Sequence, residues 1–234
     1  MNFAVKYGVI RAGDAQLAVQ KGERGGEEGA YRFVSTARSS RFFSTFFEVD
    51  DRVESVWSPA ALVPIRFEKR TREGSYKRDF AYRFDHQHRI VVDGKGHAGE
   101  ILPGSQDILS SFYMVRSRRL APGDSLQIPT HADGKNYMLT VKVHRRERVE
   151  VPAGGFDCLV VEPLLRTAGL FRQEGRLLIW LTEDSRRMPV RMEGSMAVGA
   201  IVVELESFRL GRPPEASAGS RTGAPADANG EKKP

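Results

Sequence analysis

Alternation of apolar and polar residues at every second position is the feature that most constrains how this chain folds. Phe80, Tyr82 and Phe84 fall on one face of a single extended segment, and "NYMLTVKVH" at 136–144 repeats the pattern. Successive side chains of a β-strand point to opposite faces, so alternation indicates strands with one buried and one solvated face, as in antiparallel sheets. The recurrence of such segments predicts roughly ten to twelve strands.

Glycine-containing turn signals separate these segments. They are "AGD" at 12–14, "DG" at 93–94, "PGD" at 122–124, "DG" at 133–134 and "AGG" at 153–155. Such residues tolerate the backbone angles that tight turns require, so each predicts a turn between neighbouring strands.

Residues 105–120 depart from the alternation because their apolar side chains recur at helical spacing, at Ile108, Leu109, Phe112 and Val115. Ser105 or Asp107 is suited to cap the start of a helix, and arginines at the far end complement the negative end of its dipole. The segment therefore predicts one amphipathic helix. A second segment, 39–55, leaves two alternatives open: its phenylalanines fit a helical turn able to form a lid, whereas Val49 to Val53 alternates like a strand.

The sequence predicts one mainly β domain over residues 1–210, an antiparallel curved sheet or half-open barrel. The chain has 234 residues, which is enough to bury a substantial core. No large apolar residue follows Leu210. A segment of that composition cannot offset the entropy of ordering, so residues 211–234 are predicted to be a disordered tail.

Composition and charge argue against several functional classes. The 36 basic and 30 acidic residues leave a modest net charge of +6. Nucleic-acid binding is not predicted, because the aromatic residues alternate toward the core instead of offering stacking platforms. No apolar run reaches the length of a transmembrane segment. The single cysteine, Cys158, excludes an intramolecular disulfide and is predicted to be a buried thiol.

No catalytic residue, metal site or cofactor is predicted. His86 and His88 form an H-x-H pair of the kind that binds zinc or iron, but no third ligand stands at a recognisable spacing. The chain also lacks a G-x-S-x-G nucleophile motif and a phosphate-binding loop. A metal-dependent enzyme is therefore a minor alternative to a non-enzymatic protein.

Two tryptophans are each followed by a turn and then by a similar strand, "PIRFE" at 64–68 and "PVRME" at 189–193. Proline is tolerated as the first residue of a strand, where its missing N–H is not needed. In both strands alternation places the arginine and glutamate on the polar face. The recurrence predicts two similar hairpins, not an active site.

These residues also carry a family resemblance. "FAVKYGVIRAGDAQLAV", "VPAGGFDCLVVEP" and "GRLLIWLTEDSRRMPVRME" resemble the bacterial domain-of-unknown-function family numbered 3108, and the similarity runs from about Phe3 to about Phe208. The resemblance implies an exported protein of the periplasm or cell envelope without an established activity. No signal peptide precedes the first strand, so a cytoplasmic location is expected if Met1 is the true start. The second tryptophan turn is also similar, more loosely, to the lipoprotein-carrier half-barrels, which enclose an apolar cavity.

These features lead to a functional hypothesis of lipid or apolar-ligand binding within the concave sheet. Five aromatic residues are predicted to line the concavity: Trp57, Phe80, Tyr82, Phe112 and Trp180. Two alternatives stay open, namely that these side chains fill a closed core, or that the protein is a scaffold holding an envelope partner. The sequence does not specify the ligand, the partner or the oligomeric state.

Overall fold

The computed structural model describes residues 1–21, 29–164, 176–195 and 200–211. Its helices are α1 (Arg41–Ser44) and α2 (Ile108–Ser117). Its strands are β1 (Asn2–Tyr7), β2 (Ile10–Lys21), β3 (Tyr31–Ser39), β4 (Asp50–Ser58), β5 (Val63–Glu73), β6 (Tyr76–Asp85), β7 (Ile90–Asp93), β8 (Ala98–Glu100), β9 (Ser125–Ala132), β10 (Lys135–Val151), β11 (Gly154–Leu164), β12 (Leu177–Thr182), β13 (Pro189–Ser195) and β14 (Ala200–Ser207).

These strands form one antiparallel sheet in the order β8-β7-β6-β5-β4-β3-β2-β1-β14-β13-β12-β11-β10-β9. The first wing, β1–β8, runs outward from the centre, and the second wing, β9–β14, runs back to pair β14 with β1. Strands β8 and β9 are the two ends of the sheet. The mainly β, antiparallel, half-open architecture predicted from the alternation is confirmed. The described part of the chain has more strands than predicted, because short strands such as β7 and β8 carry too few residues to show alternation.

The sheet bends far enough for its two wings to touch. Lys69 Nζ of the first wing lies 3.1 Å from the Asp133 carboxylate in the β9–β10 turn. The rings of Tyr82 and His131 meet edge to face, with centroids 4.9 Å apart. Side-chain contacts therefore bring the wings together where no ladder of strand pairing joins them.

Helix α2 is the predicted amphipathic helix, and it begins at a fully buried cap. The Asp107 carboxylate accepts hydrogen bonds from the backbone N–H groups of Leu109 and Ser110, both at 2.8 Å. The Ser110 hydroxyl in turn accepts from the Asp107 N–H, which completes a capping box. Of the two predicted caps, Asp107 is the one used.

The residue before this cap connects α2 to both wings. Gln106 accepts a hydrogen bond from the Trp57 indole of β4 at 3.3 Å, and its backbone N–H donates to the Pro129 carbonyl of β9 at 2.8 Å. Helix α2 contacts β3, β4 and β9, so it lies between the wings.

The ambiguous segment 39–55 forms both predicted elements in sequence. Phe42 and Phe43 lie in the single-turn helix α1, and the alternating residues that follow enter β4. Phe42 and Phe46 are 64% and 76% exposed, so this turn presents aromatic rings to solvent.

The turn predicted at "AGD" is wrong. Residues 12–14 lie inside β2, and the turn that precedes this strand is at Gly8 and Val9. Gly13 is required there for space: a Cβ atom would lie 2.9 Å from the Arg38 carbonyl carbon and from Ser39 Cα. Glycine in a strand interior often marks a site where another backbone approaches closely.

The two tryptophan hairpins are confirmed as similar structures. Trp57 of β4 pairs with Pro64 of β5, and the register shifts beside it. Trp180 of β12 pairs with Arg191 of β13, again with a register shift at the tryptophan. Counted from the proline of the second strand both bulges fall at the same step, but the register shift precedes Trp57 and follows Trp180, so the hairpins are similar and not identical.

The predicted tail at 211–234 lies outside the described residues apart from Gly211, and the single domain over 1–210 stays a prediction. Within the described ranges, no helix is both long and apolar enough to cross a membrane.

Candidate functional site

An apolar groove between α2 and the second wing is the candidate functional site. This α2 groove is lined by Ile108, Ser111, Phe112, Val115, Leu139, Val141, Val161, Pro163, Leu177, Ile179 and Leu181. Its volume is about 170 Å³. An apolar cavity of ~150 Å³ can stay dry and bind benzene, so the α2 groove has room for one ring or a short alkyl segment.

The lining is apolar because α2 and the strands β10, β11 and β12 each direct one face into it. On α2, positions 108, 111, 112 and 115 share a face at the spacing of successive helical turns. On β12, Leu177, Ile179 and Leu181 alternate onto the same side. The one hydroxyl among the lining residues, Ser111 Oγ, lies 3.1 Å from Thr130 Oγ1 and is already paired.

A buried guanidinium lies next to the α2 groove. Arg116 Nε donates to the Arg187 carbonyl at 2.8 Å, and Nη2 donates to the Arg186 carbonyl at 3.2 Å. The guanidinium carbon lies 5.7 Å from the ring centroid of Phe112, which lines the groove, and 4.9 Å from that of Tyr113. Burial lowers the pKa of Arg116, and the neighbouring Tyr113 hydroxyl opposes this effect.

A larger and more polar cleft, of about 840 Å³, lies along β6 and the turn after β7. Its walls mix charged and aromatic side chains, among them Lys69, Phe80, Tyr82, Asp93, His97 and His131. Burial and the nearby Asp133 carboxylate raise the pKa of Tyr82 to about 12, so its phenol stays protonated at neutral pH. Polar contacts occur at this cleft: Lys69 Nζ forms an ion pair with Asp133, and His97 Nδ1 lies 3.0 Å from the Asp93 carboxylate.

The five predicted ligand-binding residues belong to or pack against one apolar cluster, but they do not line a single cavity. Phe112 lines the α2 groove, whereas Phe80 and Tyr82 line the larger cleft. Trp57 packs beside Phe33, with ring centroids 5.8 Å apart, and Trp180 is 4% exposed with Arg191 stacked on its ring. The predicted residues thus divide between two cavities and the core.

The H-x-H pair binds two different partners. His86 Nε2 lies 2.8 Å from the Pro64 carbonyl oxygen, and His88 Nδ1 lies 2.7 Å from the Asp85 carboxylate. Burial lowers the pKa of His86. Among the described residues no group of three or more histidine, cysteine or acidic side chains is placed to hold a metal ion.

Most residues of the α2 groove were missed by sequence reasoning, which placed the site on aromatic side chains. The available signal was the run "LLIWL" at 177–181, which is apolar at consecutive positions instead of alternate ones. Such a run indicates a strand covered on both faces, and β12 has Trp180 in one apolar cluster and Ile179 and Leu181 in another.

The chain matches the family model described as "Protein of unknown function (DUF3108)" over residues 2–206. It belongs to the DUF3108 family. The resemblance inferred from the sequence motifs is thereby confirmed. No curated protein matches this DUF3108 chain at a significant level.

Two solved structures resemble this DUF3108 protein at low sequence identity. The first is a β-barrel-like protein of the DUF1849 family from Brucella abortus, with a TM-score of 0.54 and 10% identity over 87% of this chain and 93% of that chain. The second is a DUF1089 family protein from Pseudomonas aeruginosa, with a TM-score of 0.41 and 13% identity over 75% of this chain and 87% of that chain. The first similarity supports the barrel-like fold and extends no further than the fold.

Proposed function

We propose that the protein is a non-enzymatic binding protein of the cell envelope that takes the alkyl or aryl part of an apolar ligand into the α2 groove. The observation that carries the proposal is the lining of that groove, which consists of apolar side chains and one hydroxyl that is already paired. Transfer of apolar surface from water into such a site is favourable by about 25 cal/mol per Å².

The position of the groove also supports a binding role. Leu139, Val141 and Leu181 at its base are at most 3% exposed, so the floor is rigid core. Ile108, Phe112 and Leu177 are half-buried, so they form the accessible part of the lining. Largely preformed concave sites with mostly apolar walls are the usual form of small-molecule sites. Placement in the envelope rests on what the family resemblance implies.

A fluorescent neutral naphthylamine probe tests the proposal. We expect saturable binding that is displaced by octanol, because both ligands compete for the same apolar volume. Leu177→Trp should weaken binding at least tenfold by filling the accessible side of the groove, whereas Phe112→Ala should enlarge the groove and admit a larger ring.

Met138→Trp is the matched control, because Met138 is 47% exposed and is not a groove residue. Thermal unfolding of each variant separates a filled groove from a misfolded chain. A probe that fails to saturate, or that binds Leu177→Trp as tightly as the wild type, would contradict the proposal.

A second candidate, a scaffold that holds an envelope protein without a small ligand, is favoured by the exposed side chains around α1. Val9, Phe42 and Phe46 are 99%, 64% and 76% exposed, and the two phenylalanine rings contact each other at 5.6 Å. Photo-crosslinking from position 46 in the cell envelope distinguishes the candidates. One recurrent adduct that is absent when the crosslinker is at position 138 would favour the scaffold.

A further inference from the structure

Positive charge is concentrated where the end of α2 meets the β12–β13 turn. Five arginines lie in these two segments: Arg116, Arg118, Arg119, Arg186 and Arg187. The acidic residues of that turn are Glu183 and Asp184, and Glu183 is paired with Arg146 of β10. Arg186 lies 3.6 Å from Asp184. This corner carries five arginines against two acidic residues, whereas the whole chain has 36 basic against 30 acidic residues.

At this corner Arg187 Nε is buried without a hydrogen-bond partner in the described chain, and Arg116 Nη1 has none besides the neighbouring Tyr113 hydroxyl. The other nitrogens of Arg116 donate to backbone carbonyls, and no carboxylate of the described residues forms an ion pair with it. A buried donor without an acceptor is costly, and a buried cation without a counterion more so. The corner therefore offers the kind of donors that an anion-binding site requires.

The location of these donors relates them to the α2 groove. Arg116 is one helical turn beyond Phe112 and adjacent to Val115, both of which line the groove. On the opposite wall, Leu181 leads within two residues into the β12–β13 turn. Along both walls, the residues that line the groove are followed directly in sequence by the residues of the cationic corner.

We infer that the ligand is an amphiphile whose compact oxyanion, a carboxylate or a phosphate monoester, binds Arg116 and Arg187 while its alkyl chain occupies the α2 groove. This inference rests on the proposed function for the alkyl chain. Guanidinium groups suit such a head because their planar N–H pairs match the oxygens of carboxylate and phosphate. The carbonyls of Arg186 and Arg187 hold Arg116 in place but carry no full negative charge.

The test is isothermal titration of the full chain with octanoate, octyl phosphate and octanol, which share one alkyl length. We expect at least one of the two anions to bind about tenfold or more tightly than octanol, as charge-assisted hydrogen bonds to a buried head would provide. Arg116→Gln should remove that preference by lowering the affinity for the anion to about the affinity for octanol. The preferred anion then distinguishes a carboxylate head from a phosphate head.

Three further variants keep the test decisive if Arg116→Gln unfolds. Arg116→Lys should retain part of the preference for the anion. Arg187→Asn should reduce the preference without straining the backbone, because Arg187 has a positive φ of 43° that asparagine tolerates. Arg38→Gln, which removes an arginine paired with Asp50 on the first wing, should have no effect.

Equal affinity for octanol and both anions, unchanged in the Arg116 and Arg187 variants, would overturn the inference and leave the apolar groove intact. Absence of binding for all three ligands would overturn both proposals.

Discussion

The hydroxyl of Ser55 donates a hydrogen bond of 2.6 Å to the carboxylate of Asp107, and neither side chain is accessible to solvent. Fifty-two residues separate them in sequence. The bond attaches the capped start of α2 to β4 of the first wing, so it helps to hold α2, one wall of the α2 groove, in position.

Removal of this capping carboxylate should destabilise the protein strongly. Asp107→Ala leaves two helix N–H groups and the Ser55 hydroxyl without partners, which should lower the free energy of unfolding by about 2–4 kcal/mol. Urea denaturation measures the loss. Ser40→Ala, at the half-buried N-cap of the single-turn helix α1, is the control and should cost no more than about 1 kcal/mol. Equal losses would mean that the buried cap has no special role.

The same carboxylate should make stability depend on pH. Burial raises the pKa of Asp107 from 3.8 to about 6, against the hydrogen bonds that favour its ionised form. The folded state therefore binds the proton more tightly than the unfolded state, and the contribution of this group to stability is present below pH 4 and lost as pH rises through 6. The full loss corresponds to about 3 kcal/mol.

Comparison with Asp107→Asn isolates this effect, because asparagine retains an acceptor and does not titrate. From pH 4 to pH 7.5 the wild type should lose stability relative to the variant. The comparison also cancels the contribution of Glu73, whose pKa burial and the adjacent Asp51 raise to about 7. A difference that stays constant over this range would show that Asp107 is not the titrating group.

Gly13→Ala should be poorly tolerated even though it adds a single methyl group. The new carbon would meet backbone atoms of Arg38 and Ser39, which cannot rotate away. We expect a loss of about 2 kcal/mol or more in the free energy of unfolding. Gly99→Ala in β8 is the matched control, since its added carbon would lie an ordinary 3.9 Å from Val91 Cγ1. Similar stabilities for the two variants would contradict the close approach of β2 and β3.

Cys158 should be chemically inert in the folded protein. The side chain is 1% exposed, and burial raises the pKa of its thiol to about 12. Because the thiolate is the reactive form, Ellman's reagent at pH 8 should label one thiol per chain in denaturant and almost none without it. Labelling of the native protein as fast as of the denatured one would show that Cys158 is accessible.

Local sequence patterns predicted the type of most elements, and distant contacts determined where they lie. The helical spacing of Ile108, Phe112 and Val115 located α2, but no local pattern indicates that Asp107 meets Ser55. At Gly13 the local turn signal was misleading, because this glycine lies inside β2 and provides the space for the close approach of β3.

The candidate site was harder to predict because its walls come from segments about seventy residues apart. Phe112 was identified, whereas Ile179 and Leu181 were not. The arginines after Phe112 were interpreted as cations that complement the helix dipole, since the proximity of Arg116 to Arg187 depends on how α2 packs against the second wing.

The pairing of the first and last strands has a consequence for synthesis of the chain. Phe3 of β1 pairs with Leu205 of β14, and both residues are at most 1% exposed. This central seam cannot close until the ribosome has released Leu205, although the hairpins of the first wing can form much earlier. Until then β1 is an open edge in the middle of the future sheet, where a second nascent chain could add a strand. Slow delivery of β14 should therefore favour aggregation of newly made chains more than slow delivery of any strand of the first wing.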